Sequence, residues 1–370
     1  MVGMTNNKKI LIVLGRYSKT GVPRNRMRLA RELANRGHLV RIFILCGDSA
    51  IEKSFLCSKF EIINAGKASG FRALPALTRQ LRAWKPDYII SAEENVNLIS
   101  IISNIISRCR SRISISFHVP PELNLGCSPA DKRFWVVRLG RMIFPQADLI
   151  IAIAPGMKES ISSVFKIDAG RISVIANPVV DEGLFCLASQ CRVPKVTVAQ
   201  KYHVVAAGTL SKRKGFADLI RAVAIGSRDM DVGLVILGEG PERNTLEMLA
   251  EDLGVEDRVY LVGAVENPFA WMAQANVFVL SSYFEGLPTV LIEAMACGCP
   301  VVSTDCHSGP RDILHNGRYG PLVKPRDVHG LANAITSVVL DPMDGALLRG
   351  RADVYKASAI CERYLEAFSR

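Results

Sequence analysis

Short runs of Val, Ile and Leu alternate with helix-period segments along the whole chain, and that alternation leaves few folds open. It is the pattern of parallel α/β sheets, whose strands are covered on both faces and so read as continuous apolar runs. Lys9–Leu14 (KILIVL) reads as a first strand entering a loop from Gly15 to Gly21. An amphipathic helix follows near 24–36, and Gly37 ends it. Val40–Leu45, Tyr88–Ser91, Ile113–Phe117, Leu149–Ala154 and Ile172–Ile175 read as further strands, and 98–106 as one face of a buried helix. Between Val179 and Gln200 the period lapses into Pro194 and polar residues, as in a linker. The plan then restarts: His203–Ala207 enters a loop from Gly208 to Gly215, and a helix runs from Phe216 to Ala224. Gly233–Leu237, Val259–Val262, Val277–Ser281 and Pro300–Thr304 are the later strands, and a helical stretch over 352–369 closes the chain.

Two doubly wound, Rossmann-like α/β domains are therefore expected, over residues 1–185 and 186–351, with 352–370 a helix returning to the first. A chain of 370 residues also exceeds what one core usually supports. Ligands in such sheets bind at the carboxyl ends of the strands, so a two-substrate site facing a central cleft is the expectation.

Charge divides unevenly between the halves. Residues 1–190 carry 27 Lys+Arg against 14 Asp+Glu, and residues 191–370 carry 19 against 21. The first half is expected to face something anionic, such as a membrane surface or a phosphate-bearing acceptor. Arg24, Arg26, Arg28 and Arg31 are one set of candidates. Lys132, Arg133, Arg138 and Arg141, interleaved with Phe134, Trp135, Val136, Val137, Leu139 and Met142, resemble an interfacial amphipathic helix. Nucleic acid is not an expected partner, because no zinc module or RNA-binding aromatic signature accompanies the charge. No apolar run reaches the length of a membrane span, and Met1 to Lys9 is too polar for a secretory signal, so a cytoplasmic location is expected. The ten cysteines lack zinc-ligand or disulfide spacing and read as reduced structural thiols.

The segment richest in chemistry is Val277–Thr304, VFVLSSYFEGLPTVLIEAMACGCPVVST. A strand ends near Ser281, a tight loop holds Glu285-Gly286-Leu287-Pro288, and a helix runs to Gly298. Pro288 suits a first helical position, where its missing N–H costs nothing. The N–H groups of Gly286, Leu287, Thr289 and Val290 would then form an anion site at the positive end of that helix. Glu293, one turn further in, can take two ribose hydroxyls, and Glu285 can bond a sugar held by its diphosphate. An ordinary strand–loop–helix with two surface glutamates would show the same spacing.

The Glu285/Glu293 pair inside FEGLPTVLIEAMACGCPVV resembles the family-4 retaining glycosyltransferases of the GT-B fold. So do Leu237-Gly238-Glu239-Gly240-Pro241, the stretch RVYLVG from Arg258 to Gly263, and Ser308 to Leu314 (SGPRDIL). The likeness is looser in GVPRNRMRLARELANRGHLV, from Gly21 to Val40. The resemblance implies transfer of a hexose or N-acetylhexosamine from a nucleotide-sugar, with UDP the expected nucleotide, to a glycan or lipid-linked acceptor in cell-surface polysaccharide assembly. It implies that Lys214 contacts the donor diphosphate, Glu293 the ribose, and Glu285 and His118 the transferred sugar. Gly286, Leu287, Pro288 and Thr289 would line the sugar and phosphate pocket, with Gly263 beside them. Gly21 would let the first loop approach the phosphates. Retention of anomeric configuration by front-face attack is implied, with no metal and no cofactor beyond the donor, since the chain shows no Asp-x-Asp pair of the metal-holding sort.

Two departures bear on donor affinity. Thr209 stands where the family usually has Arg, leaving Lys212 or Arg213 to compensate, and Thr20-Gly21 offers one glycine where a pair is usual. A nucleotide-sugar-binding protein without transfer activity, or an epimerase of similar architecture, is the alternative.

Overall fold

The apolar runs form two all-parallel sheets, one in each of two compact units, in a computed structural model that describes residues 7–17, 21–47, 59–67, 69–125, 127–128, 130–190, 199–306 and 308–369. The first unit comprises residues 1–178 with 357–370, and the second residues 179–356. The chain thus crosses at Pro178/Val179 and again at Lys356/Ala357, where the sequence reading put the first crossing after residue 185 and read 179–200 as linker. The reason is local pairing: the Val179 and Val180 N–H groups both donate to the Tyr355 carbonyl (3.0 and 3.1 Å), binding the start of this stretch to the second unit. A helix then forms over Glu182–Ala188, capped by the Asp181 carboxylate on Leu184 N.

The first sheet has seven strands: β1 (Lys9–Leu14), β2 (Leu39–Cys46), β3 (Glu61–Lys67), β4 (Tyr88–Ala92), β5 (Arg112–Phe117), β6 (Leu149–Ala152) and β7 (Ile172–Val174). Their spatial order is β3-β2-β1-β4-β5-β6-β7. The second has six: β8 (Tyr202–Ala207), β9 (Val232–Leu237), β10 (Val259–Gly263), β11 (Val277–Leu280), β12 (Val301–Thr304) and β13 (Leu322–Val323), in the order β10-β9-β8-β11-β12-β13. In each sheet the winding reverses beside the first strand, between β1 and β4 and between β8 and β11. Loops leave the carboxyl ends of both strands there and open a crevice.

Strands β3 and β13 were not legible as strands. Both are edges: β3 reads EIINAGK and is largely exposed or half-buried, and β13 is two residues long. An edge strand need not be apolar on both faces.

The closing helical stretch is two helices. Ala352 ends a helix over Gly345–Ala352 in the second unit, and Lys356 takes an extended conformation that stops it continuing. The last helix, Ala357–Ser369, belongs to the first unit. Its Ile360, Cys361, Tyr364 and Phe368 lie at helical spacing and pack into the core formed by β1, β2 and the helix Gly21–Asn35. At its edge Arg36 pairs with Glu362 at 3.0 Å.

Candidate functional site

Two loops at the reversal point of the second sheet bring the predicted residues together. The loop after β8 carries Lys212-Arg213-Lys214-Gly215, and the loop after β11 carries Ser281 to Pro288. They are stitched to each other by Ser281 Oγ donating to the Lys214 carbonyl (2.8 Å) and Tyr283 N donating to that of Arg213 (2.8 Å). Tyr283 OH also donates to the Asp218 carboxylate at 2.7 Å. Gly215 makes this approach feasible. It has φ +64°, and a Cβ there would stand 2.1 Å from the Ser281 carbonyl oxygen.

The stitching aligns three side chains on one carboxylate. Lys214 Nζ donates to Glu285 Oε1 at 2.7 Å, Ser282 Oγ donates to the same oxygen at 2.7 Å, and Arg213 Nη1 lies 3.2 Å from Oε2. Burial alone would raise the Glu285 carboxyl. The charges of Lys214 and Arg213, with the hydrogen bonds from Lys214 and Ser282, outweigh it and hold the group below the usual carboxylate range. Lys214, which the resemblance gives to the donor diphosphate, is buried and engaged by Glu285.

The Glu285 loop is held from behind by Ser308, whose Oγ donates to the Glu285 carbonyl at 2.7 Å. The helix Thr289–Ala296 follows. Pro288 is its N-cap, one position earlier than the first helical residue the sequence reading made it. The shift leaves the same N–H groups at the start of the helix. Among the described residues, the main-chain N–H groups of Gly286, Leu287, Thr289 and Val290 donate to no main-chain carbonyl. Leu287 lines this corner with a nearly buried side chain. Glu293 is buried in the next turn, and its charge, after burial, helps push the neighbouring Cys297 thiol up to about 12. The other described cysteines are likewise free thiols.

Thr209 is exposed, next to Gly208 at the end of β8. Gly263 ends β10, two strands away from β8, and its carbonyl accepts from Gly238 N at 2.8 Å. It is therefore a neighbour of the crevice through the β9 loop. Asp229-Met230-Asp231 has Asp-x-Asp spacing, but it precedes β9 at the opposite, amino end of the sheet. There Asp231 accepts from Lys201 N (2.9 Å) and Arg258 (3.1 Å). No cluster of metal-ligating side chains occurs among the described residues.

Two predicted residues lie in the first unit. Gly21 opens the helix Gly21–Asn35, while residues 18–20, including Thr20, lie outside the described ones. His118 follows β5, with Nε2 3.0 Å from both Arg26 Nη2 and Ser116 Oγ and with Nδ1 3.4 Å from the Asn177 amide nitrogen. Burial first, and the Arg26 charge second, push its pKa well below the ordinary histidine value. The other arginine candidates need correction. Arg26 and Arg28 are buried and do not form an exposed cationic surface, since this part of the helix is covered on all sides, from Asn25 to Ala30. The second cationic set stands as a surface: on the helix Lys132–Ile143, Lys132, Arg133, Arg138 and Arg141 are exposed, and so are Trp135 (51%), Leu139 (39%) and Met142 (72%).

Sequence reasoning missed Ser282, Ser308, Asn177 and Tyr364, and it gave Arg213 only a provisional part. Ser308 was inside a quoted motif. Ser282, three residues before Glu285, had no signal, since nothing in sequence says which way a loop hydroxyl turns.

Two family descriptions match the chain: "Glycosyl transferases group 1" over residues 192–356 and "Glycosyltransferase Family 4" over residues 20–182. Among curated proteins, the chain is 32% identical over 200 residues to the N-acetylgalactosamine-N,N'-diacetylbacillosaminyl-diphospho-undecaprenol 4-alpha-N-acetylgalactosaminyltransferase of Campylobacter jejuni, covering 54% of this chain and 53% of that one. It is 37% identical over 201 residues to the lipopolysaccharide core biosynthesis glycosyltransferase LpsE of Rhizobium meliloti, covering 54% and 56%. The alignments thus span about half the length of these relatives. Anabaena HepE, solved with UDP and glucose, superimposes with a TM-score of 0.81 over 98% of this chain and 100% of that one, at 20% identity, a likeness of fold.

Proposed function

We propose, from the premise that this chain belongs to the family-4 glycosyltransferases, that it moves a hexose or N-acetylhexosamine from a UDP-sugar to a glycan or lipid-linked acceptor in cell-surface polysaccharide assembly. The observation that carries this reading is the convergence of Lys214, Arg213 and Ser282 on Glu285 beside the N-terminus of the helix Thr289–Ala296. A diphosphate entering the crevice meets two cations and a set of unengaged main-chain N–H groups, which stabilise the charge that develops as it leaves. Glu285 then turns to the hydroxyls of the transferred sugar, and Glu293 takes the ribose. With the counter-charge supplied by side chains and helix N–H groups, this reading assigns no metal. The attacking hydroxyl enters on the face from which the diphosphate departs and gives its proton to a phosphate oxygen, so configuration is retained.

The acceptor part rests on the helix Lys132–Ile143. Trp135, Leu139 and Met142 stand at i, i+4 and i+7 on its exposed side, flanked by Lys132, Arg138 and Arg141. That is the composition of a helix lying in an anionic membrane surface. No helix among the described residues is long and apolar enough to cross a membrane. On this reading the exposed cationic and apolar face of Lys132–Ile143 holds the enzyme peripherally, at the cytoplasmic face of an anionic membrane. The names of the relatives, which include a transferase acting on a diphospho-undecaprenol-linked sugar, support a lipid-linked acceptor.

A panel of nucleotide-sugars in a thermal-shift assay tests the donor, since a ligand at 100 times its Kd adds about 2.7 kcal/mol. Release of UDP on addition of acceptor tests transfer, and the anomeric configuration of the product tests retention. Binding without UDP release would favour the binding-only alternative.

A further inference from the structure

Among the described residues Arg26 is the largest fully buried side chain, and its hydrogen bonds go to no carboxylate, although the Glu93 carboxyl feels its charge. Its Nη1 donates to Tyr364 OH (2.7 Å), and its Nη2 donates to Ser116 Oγ (2.7 Å) and toward His118 Nε2 (3.0 Å). The Nε hydrogen has no hydrogen-bond partner among the described residues. A buried cation whose hydrogen-bond acceptors are all neutral is costly to keep, so what it does to those acceptors is the question.

Two acceptors, Tyr364 and Ser116, are hydroxyls that adjust by rotation. Ser116 sends its own hydrogen to the Ser91 carbonyl at 3.0 Å. His118 cannot adjust in that way. A guanidinium has donors only, so an N–H aimed at Nε2 demands a bare lone pair there. A proton on Nε2 would set two donors against each other at 3.0 Å. The ring is left with one place for a proton, Nδ1. That nitrogen faces the Asn177 side-chain NH2 at 3.4 Å, a donor, so a proton on Nδ1 requires the amide to turn over and present its oxygen, or to give way to an incoming oxygen; at the long end of the hydrogen-bond range the contact is weak enough for either.

We propose that Arg26 is a positioning residue that holds His118 as a neutral ring with its single proton on Nδ1, making the histidine a hydrogen-bond donor to substrate and not an acid or base. The part concerning substrate rests on the reading of His118 as a sugar-facing residue; the part concerning the ring does not. The low proton affinity of the buried ring agrees with the geometry. The groups that bear on it are Arg26 from the helix Gly21–Asn35, Tyr364 from the last helix, Ser116 from β5 and, through Arg26, the Glu93 carboxyl after β4. Tyr364 gives the C-terminal helix a place in this arrangement, since it takes the other arm of the guanidinium.

The experiment is a long-range 1H–15N spectrum of the full chain labelled at histidine nitrogen, recorded from about pH 5 to 8, with His118→Gln identifying the signal. The expected result is a neutral ring protonated on Nδ1 at every pH. A ring that titrates near its ordinary value of about 6.5, or one protonated on Nε2, overturns the proposal. In Arg26→Gln, whose amide can accept as well as donate, burial should still keep the ring neutral, but the proton should no longer be confined to Nδ1: a signal for the ring protonated on Nε2 should appear, and transfer should fall with the share of that form, which cannot donate from Nδ1. A ring that stays locked in Arg26→Gln removes Arg26 from the role. Should that variant fail to fold, the parent spectrum still decides. A parent with the expected spectrum and no transfer defeats the functional reading alone.

Discussion

Lys214 Nζ lies 2.7 Å from Glu285 Oε1, so the cation assigned to the donor diphosphate and the carboxylate assigned to the donor sugar neutralise each other. Any diphosphate that binds here competes with Glu285 for Lys214. Substitution of either should lower transfer, but the two should move UDP affinity in opposite senses.

Lys214→Ala and Glu293→Ala should each lower transfer at least about 100-fold, the usual scale for loss of a preorganised charge contact. Glu285→Gln should lower turnover while leaving affinity for UDP equal or higher, because it frees Lys214 and Arg213. Calorimetry with UDP alone, beside initial rates of transfer, measures both. A large loss of UDP affinity in Glu285→Gln would contradict the competition.

The same pair has a stability signature with a definite sign. The folded Glu285 carboxyl sits below its unfolded value, so its contribution is fully present above about pH 4.3 and is lost as pH falls through the folded value. The Tm difference between the parent and Glu285→Gln should be constant from pH 8 to 5 and shrink below about pH 4. His118 acts in a higher window. Its folded pKa is depressed, so stability is held above about pH 6.5 and falls as the unfolded ring takes a proton below that. His118→Gln should make the decline in Tm between pH 6.5 and 5 shallower. His38, depressed first by burial and then by Arg36 and Lys8, keeps part of that decline in place.

Gly215→Ala should cost more than about 1 kcal/mol, since the backbone is at positive φ and the new Cβ meets a carbonyl oxygen that side-chain rotation cannot clear. The two loops should part, and UDP binding should fall with them. Chemical denaturation and calorimetry report the two effects separately. A variant of parental stability that binds UDP normally would show that the loop contact is dispensable.

The exposed face of Lys132–Ile143 predicts co-sedimentation with anionic vesicles at low salt, weaker at high salt and absent with neutral vesicles. Each cation near an anionic leaflet is worth about 1 kcal/mol. Trp135→Ala with Met142→Ser should weaken binding while leaving the fold intact, because both side chains are largely exposed. Equal, negligible binding to both vesicle types sinks the membrane part.

Much of the second unit's site was legible from sequence because it is local. Glu285, Pro288 and Glu293 share one loop and helix, and Lys214 stands one residue before the glycine that closes the other loop. The first unit was harder. Arg24, Arg26, Arg28 and Arg31 look alike in a basic helix, yet Arg26 and Arg28 are buried. Charge counts carry no orientation, and nothing within residues 21–36 announces that Tyr364 will meet Arg26.

By itself the sequence determined the two parallel sheets and the loop–helix that carries Glu285 and Glu293, because apolar period, glycine placement and helix starts act over a few residues. Tertiary structure decided the rest. It joined Lys214 to Glu285, placed the last helix under Arg26, and moved the chain's first crossing to Pro178/Val179. Each of these depends on groups far apart in sequence, whose hydrogen bonds form only once the sheets have brought their loops and helices together.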